Sequence, residues 1–218
     1  MSIQLEDIAT RHERLRSLHV GILVFPGVEV LDFAGPFEVF SVAARVAKRD
    51  LGIEQAFKVS LIGARHDIIE ARHGMGVLPH YGFNDAPEVD LLIVPGGLME
   101  QPLDCAPTQA WVGRASGTAA LTASVCTGAF LLAKLGMLEG RPVTTHWSDI
   151  AELRAQFPQL EVRENTPFVD SGRVVTSAGI SAGIGMSLYL VARSMGVSIA
   201  SATARQMEYD WPPSGQAH

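Results

Sequence analysis

With only two cysteines in 218 residues, Cys105 and Cys126, the chain cannot build a disulfide framework. Basic charge is short as well. Seventeen Lys and Arg stand against 23 Asp and Glu, and the net charge of −6 argues against nucleic acid as a partner. Aromatic residues make up 7 % and charged residues 18 %, while apolar residues reach 47 %. That balance fits a globular chain, either one α/β domain with a full core or at most two small ones. No secretory signal opens the sequence, and with so few cysteines the expected compartment is a reducing cytoplasm. The longest weakly charged stretch is 178–200, whose single charge is Arg193. Its glycine- and serine-rich start suits a helix buried inside a domain, so no membrane partner is expected. Internal repeats, low-complexity tracts and dividing linkers are missing too. No His, Cys and Asp cluster has metal-ligand spacing, so neither metal nor cofactor is expected. His66, His73 and His80 recur every seven residues, which matches neither helix nor strand geometry and reads as hairpin and loop positions.

What is present is an alternation. Near-continuous apolar runs at 19–25, 57–63, 90–94, 119–125 and 173–177 read as strands buried on both faces, the habit of parallel sheets, with a short one near 142–145. Helical patterns lie between them at 36–48, 108–116, 126–135, 148–157 and 182–195. This predicts an α/β layered fold with helices on both faces of a mostly parallel sheet. Residues 64–82 suggest a small antiparallel hairpin, and 162–175 a second one turning at Ser171-Gly172. Residues 1–18 read as an amphipathic helical arm, 19–210 as the domain, and 211–218 as a frayed tail.

Three places can carry chemistry. Cys126, in Ser124-Val125-Cys126-Thr127-Gly128, sits where an apolar strand turns into a helix. Unpaired amides at a helix start stabilise a thiolate and can hold an oxyanion. A buried structural cysteine explains the same residue equally well. Val94-Pro95-Gly96-Gly97 ends another strand with paired glycines, where backbone amides can approach a ligand. Asp32, in Val30-Leu31-Asp32-Phe33, follows the first strand and is flanked by apolar residues that raise a carboxyl pKa and suit it to proton transfer; a helix N-cap ahead of Pro36 is the alternative.

LVFPGVEVLDFAGPFEVF, LLIVPGG, SVCTGAFLLAKLGMLEGRPVTTHW and VVTSAGISAGIGMSLYLV, in this order, resemble the ThiJ/PfpI superfamily of class I glutamine-amidotransferase-like proteins over residues 19–210. Within it the sequence is most similar to isonitrile hydratases and to the ligand-domain half of AraC-type regulators. The resemblance implies a flavodoxin-like sandwich, a homodimer and a small-molecule substrate. It implies Cys126 as nucleophile, Asp32 as its acidic partner, and Gly97 and Thr127 as donors of oxyanion-pocket amides. His146, in Thr144-Thr145-His146-Trp147, falls in a family motif and is read as lining the pocket rather than as the base. Thr127 stands where protease-like members have histidine, which argues against peptidase activity. Gly185 departs from an aspartate common in relatives. Cys105 reads as an incidental loop residue.

The activity implied is hydration of an isonitrile to an N-substituted formamide. A glyoxalase-like enzyme acting on 2-oxoaldehydes and a sensor of ligand or redox state are the alternatives. The chain ends at His218 without room for a helix-turn-helix pair, so a stand-alone module is expected.

Overall fold

The computed structural model describes residues 17–212. The alternation resolves into a seven-stranded sheet in the order β10-β11-β7-β6-β1-β2-β5. Its strands are β1 (Leu18–Leu23), β2 (Phe57–Gly63), β5 (Tyr81–Gly82), β6 (Leu91–Val94), β7 (Leu121–Val125), β10 (Phe168–Asp170) and β11 (Val174–Ser177). All neighbours run parallel except β10 against β11. Every residue of β7 and all but the first of β1 are buried, as a sheet covered on both faces requires.

Two helix groups cover the sheet. The first holds α1 (Val30–Leu51), α6 (Ala182–Met195) and α7 (Val197–Gln206); the second holds α2 (Glu100–Asp104), α3 (Ala106–Thr118) and α4 (Gly128–Lys134). A further short helix, α5 (Ile150–Gln156), follows a single 3-10 turn at Trp147–Asp149. The expected α/β sandwich is therefore present, and the helix expected over 182–195 has those bounds.

Of the two expected hairpins, the first forms between β3 (Ile69–Glu70) and β4 (Gly76–Val77). The second is β10–β11, turning at Ser171-Gly172 with Gly172 at φ 86°. Residues 161–162, however, form β9 (Glu161–Val162), which pairs in parallel with β8 (Pro142–Val143). Trp211, expected in a frayed tail, is buried against the core. The rest of the expected arm and tail, residues 1–16 and 213–218, lies outside the described residues.

The first helix begins earlier than its sequence suggests. Pro36 lies inside α1 rather than near its start. A proline in the second turn forfeits one hydrogen bond, to the carbonyl four residues back, and that residue is Asp32. Because the helix starts at Val30, Asp32 is in the first turn, with Glu29 flanking the helix, and is not an N-cap. At the other end Gly52, in the left-handed region at φ 70°, donates its amide to the carbonyls of Ala47 and Lys48 and closes the helix.

Candidate active site

The carboxyl ends of four adjacent strands, β1, β6, β7 and β11, supply the loops of one site. Cys126 follows β7 directly and adopts φ 57°, a conformation that residues other than glycine rarely hold. Its amide donates to the carbonyls of Ser177 and Ala178 at 3.2 and 3.4 Å, and its carbonyl accepts from the Thr145 hydroxyl at 2.8 Å. Those bonds hold the sharp corner between strand and helix. Gly128 makes the corner possible from below, since a Cβ there would lie 2.1 Å from the Val94 carbonyl oxygen.

Asp32 reaches the same place from α1 and is fully buried. Gly96 donates its amide to Oδ2 at 3.0 Å. Oδ1 has no partner at hydrogen-bond distance, and the Cys126 thiol stands close enough for each group to act on the other. Burial pushes the carboxyl up to about 6, helped by the charge of Glu29 and opposed by the Gly96 amide, the thiol and the Ile180 amide. Burial likewise pushes the thiol up, to about 12, with the Asp32 and Asp149 charges adding to the rise and the Thr127 amide opposing it.

This reverses the expectation of a stabilised thiolate. α4 is only seven residues long, and one nearby amide does not offset an apolar setting with a carboxylate in it. Burial raises both groups, and the Asp32 charge further opposes ionisation of the thiol.

Of the other residues singled out from the sequence, Thr127 and Gly97 lie together. The Gly97 amide donates to Thr127 Oγ1 at 3.0 Å, and that hydroxyl reaches the Gly97 carbonyl at 3.3 Å. Gly97 sits at φ 142°, and a Cβ on it would fall 2.4 Å from the Gly27 carbonyl oxygen, so only glycine fits. His146 packs its ring on Gly179, where a Cβ would meet ring carbon Cδ2 at 1.9 Å. Its Nδ1 lies 2.8 Å from Ser148 Oγ and 3.1 Å from Asp149 Oδ2. Gly185 has nothing within 4 Å of its Cβ direction, so a Cβ would meet no steric barrier there. Cys105 precedes α3 as its flanking residue.

Beside Gly97 and Thr127 opens a cleft of about 770 Å³, with Phe130, Phe157 and Leu103 among its apolar walls. Asp149 lines it too, a residue the sequence reading passed over although it stands three positions after His146. Among the described residues, no three His, Cys, Asp or Glu side chains are grouped as a metal ion would need, and no helix is long and apolar enough to cross a membrane.

The profile of the DJ-1/PfpI family matches residues 19–193. The chain belongs to the DJ-1/PfpI family. This agrees with the resemblance in its four sequence motifs. Isonitrile hydratase from Pseudomonas putida is 30 % identical over 194 residues, 88 % of this chain and 79 % of that protein. The HTH-type transcriptional regulator GbdR from Pseudomonas aeruginosa is 27 % identical over 91 % of this chain, which spans about half (53 %) of the regulator. Among solved structures, a ThiJ/PfpI family protein from Pseudomonas syringae superposes with a TM-score of 0.77 at 26 % identity, covering 91 % of this chain and 78 % of that one. DJ-1beta from Drosophila melanogaster shares the fold, with a TM-score of 0.75 at 19 % identity. This DJ-1/PfpI chain thus resembles both a hydratase and a regulator.

Proposed function

We propose that this protein is a cysteine-dependent hydratase that converts an isonitrile and water to an N-substituted formamide. The observation that carries the reading is the buried pair of Asp32 and Cys126 at the strand-to-helix elbow, with one carboxyl oxygen unpartnered. A carboxylate beside a protonated thiol is a base waiting for the sulfur to attack. As the bond forms between Sγ and the terminal isonitrile carbon, Asp32 takes the thiol proton and delivers it to that carbon, leaving a thioformimidate on Cys126. Water then adds to the same carbon, nitrogen gains a proton, the carbon–sulfur bond breaks, and the thiol is restored. The likeness to the P. putida hydratase supports the choice of substrate class.

The test is formamide production from an aryl isonitrile, followed in the ultraviolet, by the wild type, Cys126→Ser and Asp32→Asn proteins. Steady turnover that Cys126→Ser abolishes and Asp32→Asn slows is the expected result. A wild type with no turnover would overturn the reading.

The likeness to GbdR favours a second reading, a ligand-sensing module without turnover. It predicts saturable binding of a small molecule with no product. Redox sensing at Cys126 has less support, because burial and the neighbouring carboxylate both disfavour the thiolate that oxidants attack.

A further inference from the structure

The sheet has a second opening, at the end away from the candidate active site. At the amino ends of β1, β2, β6 and β7 lies a pocket of about 40 Å³. Leu18, Val20, Phe57 and Leu121 wall it from the sheet, and Phe40 and Leu190 wall it from α1 and α6. It has room for about three water-sized groups, which suits one branched aliphatic side chain. Two polar groups at this end are incompletely partnered. Asp90, on the pocket wall, accepts the His19 amide hydrogen at 2.8 Å but pairs with no lysine or arginine among the described residues. Arg193, on the same wall, is committed to Asp170 at 2.8 Å. Ser17, which precedes Leu18, has its hydroxyl oxygen buried and without a hydrogen-bond partner among the described residues, although buried hydroxyls are ordinarily satisfied.

The sequence supplies an occupant at this place. Leu18, read from the sequence as the end of a helical arm, instead opens β1 and lines the pocket itself. Residues 1–16 therefore join the domain at the pocket wall. Their sequence carries Leu5, Ile8 and Leu15 on one side of its helical pattern, with Arg14 and Arg16 next to the junction. Leu15 is three residues from Leu18 and Arg16 is two, so along the chain both lie within about 10 Å of that wall. The apolar side chains match the pocket, and the arginines match the unpaired carboxylate of Asp90.

We propose that this pocket is the docking site of the segment 1–16 of the same chain, with Leu15 seated in it and Arg14 or Arg16 meeting Asp90. The segment is then a clasp over the amino end of the sheet. It closes the apolar opening between α1, α6 and the strands, and it stands apart from the loops that carry Asp32 and Cys126. The inference is independent of the hydratase reading, because the pocket and the candidate active site lie at opposite ends of the same strands.

The experiment compares thermal unfolding of the full-length wild type, Leu15→Ser, Ala120→Leu and the double variant, with circular dichroism as the check on folding. Ala120 lies on the pocket wall, so leucine there competes with any occupant. Expected for Leu15→Ser is a melting temperature lower by about 4–8 °C. Ala120→Leu should lower it when Leu15 is present, by crowding the occupant, and should raise it in Leu15→Ser, by filling an emptied pocket. A Leu15→Ser protein that melts like the wild type would overturn the proposal. So would effects of the two substitutions that simply add, which place the segment elsewhere. A second measurement stands on its own. Leu15→Cys is combined with Ala120→Cys in a Cys105→Ser background, oxidised, and mapped by mass spectrometry without reduction. A link between positions 15 and 120 within one chain is the expected result. A link between two chains makes a second copy the occupant and overturns the assignment to the same chain, and the absence of any link overturns the docking of Leu15 at this wall.

Discussion

The amide of Gly96 donates to Oδ2 of Asp32 at 3.0 Å, and this bond ties the end of β6 to the first turn of α1. It turns the carboxyl so that Oδ1 is the oxygen left without a partner. A Cβ at Gly96 would lie 2.5 Å from Thr127 Oγ1, 2.6 Å from Thr127 N and 3.0 Å from Asp32 Oδ2. Gly96→Ala should therefore cost about 1–3 kcal/mol of stability and most of the activity. Thermal unfolding and isonitrile turnover measured on one preparation check both.

Asp32 sets a pH dependence of stability. Its folded pKa of about 6 is above the ordinary 3.8, so the native state binds the proton more tightly than the unfolded chain between those values. The contribution is full below the unfolded pKa and is lost as pH rises through 6. Above that, the buried carboxylate costs about 3 kcal/mol. Asp32→Asn removes the cost, so its melting temperature should exceed that of the wild type at neutral pH, with the gap closing toward about pH 4. Calorimetry across that range would read it, while turnover moves in the opposite direction.

His19 acts with the other sign. Its ring lies between the Glu88 carbonyl and Ser60 Oγ, and burial holds its pKa below the ordinary 6.5. The unfolded chain takes up the proton first, so stability is full above 6.5 and falls as pH drops toward the folded value. Urea midpoints of the wild type should decline over that window, and those of His19→Gln should decline less.

Cys126 should react slowly with iodoacetamide near neutral pH, with no titration step between about pH 6 and about pH 9, because its thiol is pushed up to about 12. Asp32→Asn removes the carboxylate charge that adds to this rise, so alkylation should quicken. A wild-type rate that levels off near neutral pH would contradict this account of the site.

Two glycines separate packing from chemistry. Gly128→Ala drives a Cβ to 2.1 Å from a backbone oxygen and should cost about 3 kcal/mol or more. Gly185→Ala meets nothing within 4 Å and, inside α6, should gain about 0.5–1 kcal/mol. Chemical denaturation of the two variants side by side measures the contrast.

The strands were legible because a doubly covered parallel sheet writes itself as unbroken apolar runs, and the elbow because Cys126 ends one of them. The start of α1 was not legible, since Pro36 reads as a first-turn residue whereas the helix begins at Val30 and holds the proline in its second turn. The direction of the thiol shift depends on how deeply Asp32 and Cys126 are buried together, a distance in space and not along the chain. Asp149 looked like one more polar residue of a short turn. Its contact with His146 and its place in the cleft wall are relations in space that the chain order does not display.

The Thr127 hydroxyl has a consequence for affinity. It already occupies the Gly97 amide at 3.0 Å. An arriving substrate oxygen or nitrogen that seeks this donor must displace an internal competitor rather than fill an idle position. The net gain from that contact is the difference between two hydrogen bonds, which is small. Under the proposed function, an atom that gains negative charge during the reaction would draw more from the Gly97 amide than a neutral one, because it accepts more strongly than the hydroxyl.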